Sequence, residues 1–187
     1  MRKNLFLTGP IGSGKSTGIA AALGENLSRA GGFLTVRQRD GDGNPVAFWL
    51  KRPDGSRGEI IIDPADKTCP VRMEVFEGFG TELLEQARSY AFVVLDEIGG
   101  AELLSDRFLE ALMELLKSDV PCIGVVKGAE PAGRMIRKLG LGEAYGQRAE
   151  KLRQWIRQDE NTLLYECGQF DPEGLRLARE WVSQYCK

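Results

Sequence analysis

Histidine is absent from the 187 residues. With it go the Ser-His-Asp triad, the Cys-His pair and every histidine-ligated metal. Chemistry on this chain therefore falls to carboxylates, Lys, Arg and a bound metal. Cysteine is scarce as well: Cys69, Cys122, Cys167 and Cys186 stand far apart, with no Cys-x-x-Cys pair to suggest zinc. Reduced thiols are the expectation. No stretch approaches the roughly 20 apolar residues of a membrane span, and the basic start lacks the apolar core of a signal peptide. A cytoplasmic protein without membrane partner is expected. The net charge of −2 supplies no global positive field, which makes nucleic acid an unexpected partner, local patches aside. Nothing in the sequence identifies a protein partner.

The length suits one α/β domain, residues 1–187, with a central sheet covered on both faces. Asn4-Leu5-Phe6-Leu7-Thr8 is a short apolar run ending at glycine, the pattern of a strand buried on both faces. Ile19, Leu23, Leu27 and Ala30 then recur at helical spacing, with Gly31-Gly32 as the expected stop. Strand-like pieces follow at 33–37, 45–50 and 59–62, separated by Asp-Gly and Pro-Asp-Gly turn chemistry, which predicts an inserted β-hairpin.

A helix is expected over 81–89 and a buried strand over 91–95. The apolar stripe from Leu104 to Leu116, with Ser105 as cap, predicts another helix, and 120–126 the next buried strand. A helix over 150–157, a strand over 162–165 and a closing helix opened by Asp171-Pro172 complete the pass. Alternation of apolar strands with helices argues for a three-layer αβα sandwich with a mostly parallel sheet and ligands at the strand C-termini.

The segment Gly9-Pro10-Ile11-Gly12-Ser13-Gly14-Lys15-Ser16, followed by Thr17, satisfies G-x-x-x-x-G-K-[ST] between a predicted strand and a predicted helix. Its glycines let backbone N–H groups turn inward as an anion nest. Lys15 would reach the β- and γ-phosphates of a nucleoside triphosphate (ATP, GTP or another), and the Ser16 hydroxyl would ligate Mg²⁺. A dinucleotide fingerprint fails, because Lys15-Ser16-Thr17 stands where a third glycine is needed.

Phe92-Val93-Val94-Leu95-Asp96-Glu97 looks like a Walker B element. Asp96 at a strand tip can hold Mg²⁺, while the adjacent Glu97 can polarise an attacking water. Two acids after a strand can equally be a solvated turn; the phosphate loop upstream gives them their meaning. A carboxylate beside the metal-bound aspartate is what hydrolysis needs and what transfer to a bound acceptor can do without. Lys127, past the next strand, is either a γ-phosphate sensor or a solvated strand end. The basic segment from Arg134 to Arg157 is either a lid with an arginine finger or a solvated helix face. Trp49, Trp155 and Trp181 read as packing, and no residue identifies the base.

Together these residues resemble the small nucleoside-triphosphatases first described from hyperthermophiles, a family that includes the human cancer-related nucleoside-triphosphatase. The resemblance rests on Gly9 to Thr17, on Gly32-Phe33-Leu34-Thr35 with Arg39 and the aromatic hairpin around Phe48, and on Leu95-Asp96-Glu97-Ile98-Gly99 with Glu102-Leu103-Leu104-Ser105 and Phe108. It covers about residues 4–127. It implies a RecA-like P-loop fold and slow, Mg²⁺-dependent hydrolysis of several nucleoside triphosphates, with Glu97 as the catalytic carboxylate. The chain departs from the family at Gly100, where a lysine is expected, and between 127 and 160. Two other functions fit the same residues: a nucleoside, nucleotide or nucleic-acid-end kinase, and a switch whose nucleotide occupancy alters a partner interaction.

Overall fold

The computed structural model describes residues 1–130, 132–133, 139–169 and 171–187. A seven-stranded sheet forms the middle layer, in the order β4-β3-β2-β5-β6-β1-β7. The strands are β1 (Asn4–Thr8), β2 (Gly31–Arg39), β3 (Pro45–Lys51), β4 (Gly58–Ile62), β5 (Val93–Ile98), β6 (Cys122–Val126) and β7 (Thr162–Glu166). The run β2-β5-β6-β1-β7 is parallel throughout, and β3 and β4 extend it antiparallel at one edge. The inserted hairpin of the sequence is therefore continuous with the main sheet. β2 belongs to both parts: residues 31–33 pair with β5 and residues 34–39 with β3.

Successive side chains of a strand point to opposite faces, and each face of this sheet has its own core. Phe6, Val93, Leu95, Cys122 and Val126 point to the face covered by α3 (Thr81–Ala87), α4 (Asp106–Lys117) and α5 (Gly142–Gln158). Leu5, Leu7, Phe92, Val94, Ile123 and Val125 point to the other, covered by α1 (Lys15–Leu23) and α6 (Pro172–Tyr185). Because both faces are buried, the strands read as continuous apolar runs. Trp181 is fully buried in the second core, edge-on to Phe92 with centroids 6.3 Å apart, and its indole N–H reaches the Lys3 carbonyl at 2.8 Å. It is a packing residue, as expected.

Both predicted caps are present. The Ser105 hydroxyl accepts from the Phe108 amide at 3.2 Å and the Asp171 carboxylate from the Glu173 amide at 3.0 Å, satisfying first-turn donors. Several boundaries differ from the pattern, among them β5, which starts at Val93 and runs on to Ile98, so that Asp96 and Glu97 lie within it instead of after Leu95. α1 ends at Leu23, a 3₁₀ segment fills Gly24–Arg29, and Gly31-Gly32 open β2 instead of stopping the helix. A short turn α2 (Met73–Val75) and a π-helical turn (Phe76–Gly80) lead into α3, carrying Phe76 and Phe79 into the core. α5 begins at Gly142, eight residues before the expected start, because Tyr145 and Ala149 extend its buried stripe. No helix among the described residues is long and apolar enough to cross a membrane.

Candidate active site

The loop between β1 and α1 is shaped by glycines. Gly9, Gly12 and Gly14 all have positive φ, a region that side chains with a Cβ avoid. At Gly9 the constraint is also steric, since a Cβ would stand 2.3 Å from the Cys167 carbonyl oxygen. The first intrahelical bond, from the Gly18 amide to the Gly14 carbonyl at 2.7 Å, follows the amides of Lys15, Ser16 and Thr17. These first-turn donors and the helix dipole make an anion site at the sheet's C-terminal edge. The Lys15 ammonium donates to the carbonyls of Pro10 (2.6 Å) and Gly9 (3.3 Å) and to the Ser13 hydroxyl (2.9 Å). Burial lowers its pKa from the ordinary 10.5, so an approaching polyphosphate would relieve a poorly solvated cation.

One strand, β6, separates β1 from β5. The Ser16 hydroxyl nevertheless donates to Asp96 Oδ1 at 2.7 Å. Asp96 also faces the Thr35 amide at 3.4 Å, and its own carbonyl accepts from the Thr35 hydroxyl at 2.9 Å. Burial pushes its carboxyl up to about 6, with the Ser16 hydrogen bond opposing the rise. Among the described residues no Lys or Arg forms an ion pair with this carboxylate; the nearby Arg37 and Lys127 pair with Glu97 instead. A buried acid lacking a cationic partner beside a serine hydroxyl is a donor set that fits Mg²⁺. No group of three His, Cys, Asp or Glu side chains that could hold a metal ion exists among the described residues. Mg²⁺ here would need phosphate oxygens and water to complete its shell, its usual mode of binding in nucleotide sites.

Glu97 is displaced from the regular strand. The β5–β6 register shifts between Leu95 and Ile98, and Glu97 has φ of +63°, the one non-glycine residue with positive φ among those described. A bulge re-aims a side chain, and left-handed strain at a non-glycine position is concentrated at functional sites. Here the Glu97 carboxylate stands between two cations: Arg37 Nη2 of β2 at 2.7 Å and Lys127 Nζ beyond β6 at 3.3 Å. Burial opposes ionisation of Glu97, but Lys127 and Arg37 outweigh it and hold the carboxyl below the ordinary range.

The bulge has its own support. Glu102 Oε1 accepts from the amides of Gly99 (2.6 Å) and Gly100 (2.7 Å), and the buried Tyr145 hydroxyl donates to the Gly99 carbonyl at 2.9 Å. Burial raises the pKa of Glu102.

A cavity of about 890 Å³ joins these parts. Gly9, Ile11, Gly12, Gly14, Lys15, Ser16 and Thr17 line one end, and Glu97, Arg37 and Lys127 its middle. Pro10 and Ser13 contribute through Lys15 rather than as lining. Asp96 stands behind Ser16. Of the basic segment's described arginines, Arg148 donates to the Leu103 carbonyl and pairs with Asp106, and Arg153 pairs with Glu150. Arg134, Arg137 and Lys138 lie outside the described residues. Among the described residues, the cations on the carboxylate are Arg37, which sequence reasoning overlooked, and Lys127, which it left open. Arg37 sits in a strand of mixed polarity with no motif around it, and only the β2–β5 pairing brings it to Glu97.

Sheet order, phosphate loop and bulged carboxylate pair define a P-loop nucleotide-binding domain of the RecA-like kind. Comparison with known proteins narrows this further: a family model described as NTPase matches residues 4–146, and the chain belongs to that family. It is 31% identical over 131 residues to nucleoside-triphosphatase THEP1 of a Thermotoga species, covering 66% of this chain and 73% of that protein. It is 30% identical over 184 residues to the mouse cancer-related nucleoside-triphosphatase homolog, covering 88% of this chain and 94% of that one. The crystal structure of THEP1 from Aquifex aeolicus shares the fold, with a TM-score of 0.66 at 20% identity over 98% of this chain and 99% of that chain.

Proposed function

We propose that residues 1–187 form one P-loop domain that hydrolyses the terminal phosphate of nucleoside triphosphates, ATP and GTP among them, to diphosphate and phosphate with Mg²⁺. The observation that carries this reading is the 2.7 Å contact between Ser16 Oγ and Asp96 Oδ1, with the bulged Glu97 beside it. It supports a phosphate loop, a metal position and a candidate base that act side by side. The names of the relatives, nucleoside-triphosphatase in each case, support it.

Gly9 to Thr17 bind the phosphates, and Lys15 leaves its loop carbonyls to offset charge developing on the transferring phosphoryl group. Ser16 and Asp96 would hold Mg²⁺, which when bound would supply Lewis-acid polarisation of the phosphates. Glu97 orients water and accepts its proton, while Arg37 and Lys127 fix the carboxylate and stand ready for phosphate charge. Water is favoured over a bound acceptor because Glu97 directly follows Asp96. The cytoplasmic setting expected from the sequence belongs to this same reading.

The test is phosphate release from ATP, GTP, CTP and UTP, with and without Mg²⁺, and with nucleosides or RNA ends added as acceptors. Acceptor-free release with several bases, dependent on Mg²⁺ and lost in Lys15→Ala, Ser16→Ala and Glu97→Gln, is expected. Glu97→Gln should keep nucleotide affinity within about threefold while turnover falls by roughly a hundredfold or more, the size of a lost general base. Phosphate moving only onto an added acceptor would replace hydrolysis by a kinase, and tight binding without turnover would replace it by a switch.

A further inference from the structure

The cavity does not end at Glu97. Past Arg37 it runs beneath the β2-β3-β4 edge, where its walls are Phe33, Phe48, Leu50, Ile61, Phe76 and Phe108, with Ile62 beside them. Phe48 and Ile62 are a cross-strand pair and half-buried, while the others are buried. Among the described residues, the polar side chains that line the cavity outside the phosphate loop fall into two groups by their place in the chain. Thr35, Arg37, Glu97, Glu102 and Lys127, from β2, β5 and the turns that follow β5 and β6, are the inner end of this half, and Asp66 and Lys67 belong to the segment after β4. Glu102 is already committed to the Gly99 and Gly100 amides. A triphosphate on Gly9 to Thr17 occupies the opposite end and leaves this half free.

Two features state what would fill it. Its inner end holds two cations, Arg37 and Lys127, on the Glu97 carboxylate, beside Glu102, whose ionisation burial disfavours. Phe33, Phe48, Leu50, Ile61, Ile62, Phe76 and Phe108 offer aromatic and branched aliphatic surface with no hydrogen-bonding side chain among them, against which the polar edge of a nucleobase would be stranded. We propose that this half is a second ligand site for a flat, apolar-bodied molecule with one anionic head group, the head against Arg37 and the body between Phe48 and Ile62. The whole cavity, about 890 Å³, is mostly apolar with a few convergent polar groups, the character of small-molecule sites. Occupancy reaches the candidate base directly: the Arg37 guanidinium stacks over the Phe48 ring at 5.7 Å and holds Glu97 at 2.7 Å. A ligand that draws on Arg37 changes the restraint on Glu97, so the site is a place from which turnover is modulated.

Binding here depends on the cavity and not on hydrolysis, so the two are tested separately. 2-Naphthoate is titrated calorimetrically into the whole protein without nucleotide or Mg²⁺. Saturable binding is expected, weakened by about tenfold or more in Ile62→Trp, which fills the wall, and in Phe48→Ala, which removes it, but unchanged in Lys15→Ala. Should either wall variant lose its cooperative thermal transition, Ile62→Phe and Phe48→Leu replace it with the same expectation at smaller size. Absence of saturable binding to wild type overturns the proposal. So does binding lost in Lys15→Ala and indifferent to the wall variants, which would place the anion in the phosphate loop. Phosphate release on the same samples reports the hydrolase reading independently, and its failure would leave the naphthoate isotherm intact.

Discussion

Arg37 Nη2 and Glu97 Oε1 meet at 2.7 Å, sixty residues apart in sequence, where the antiparallel extension of β2 passes the bulged end of β5. The pair is partly exposed, and pairs of that kind add little to stability. Its position beside Lys15 and Asp96 gives it a kinetic meaning instead. Arg37→Met should slow turnover by about ten- to a hundredfold while shifting nucleotide affinity less than threefold, as expected for a cation that acts on transition-state charge and on the orientation of the base. Steady-state kinetics together with equilibrium binding check this, and unchanged turnover would leave the pair as surface decoration.

Glu102 should behave as an acceptor and not as a charge. Glu102→Gln keeps an oxygen for the Gly99 and Gly100 amides and removes an ionisation that burial disfavours, so stability should stay within about 1 kcal/mol of wild type. Glu102→Ala strands two buried N–H groups and should cost roughly 2–5 kcal/mol. Chemical denaturation of both variants decides between acceptor and charge.

Gly9→Ala should fail for a backbone reason. Its φ of +127° opposes any side chain, and so does the Cys167 carbonyl oxygen, which would lie 2.3 Å from an added Cβ. A loss of about 2–4 kcal/mol follows from crowding plus strain, and nucleotide binding should weaken with it because Cys167 N–H anchors β1 at the Thr8 carbonyl, 2.8 Å away. Thermal unfolding with nucleotide titration measures both, and a variant that matches wild type in each would show that the loop yields.

The rim of the cavity carries an acid-sensitive turn. Asp66 accepts from the Thr68 hydroxyl at 2.7 Å and from the amides of Thr68 and Cys69, both at 3.0 Å, and pairs with Arg72 at 3.1 Å. The Thr68 hydroxyl first, then the amides, hold its carboxyl at about 2, below the ordinary 3.8. A carboxyl whose folded value is depressed stabilises the fold above its unfolded value and loses that contribution as pH falls through the folded one. Asp66→Asn should therefore lower Tm at pH 7, and its deficit relative to wild type should shrink between about pH 4 and pH 2. A deficit constant across that window would rule out an electrostatic origin.

Much of this molecule was legible without coordinates. Asn4 to Thr8, the glycines of the loop and Lys15-Ser16 announce a strand, an anion nest and a helix, because those structures depend on local chemistry: apolar runs, positive φ and first-turn donors. Ser105 and Asp171-Pro172 announced their caps for the same reason. Asp96 and Glu97 were recognisable as a pair, but the sequence set them just after a strand instead of inside β5, and the bulge was not legible, since register is a property of β5 and β6 together.

What only the tertiary structure decided lies farther apart along the chain. Periodicity cannot say that Gly31-Gly32 begin a strand instead of ending a helix, because pairing with Val93 and Val94 settles it. Nor could it bring Arg37 and Lys127 to one carboxylate, or set the hairpin's Phe48 in the lining of the same cavity as Lys15. The sequence by itself determined the phosphate loop, whose shape is set by dihedral preference within a few residues. The sheet order decided which charges and which apolar walls surround it, because those contacts exist only once distant strands lie side by side.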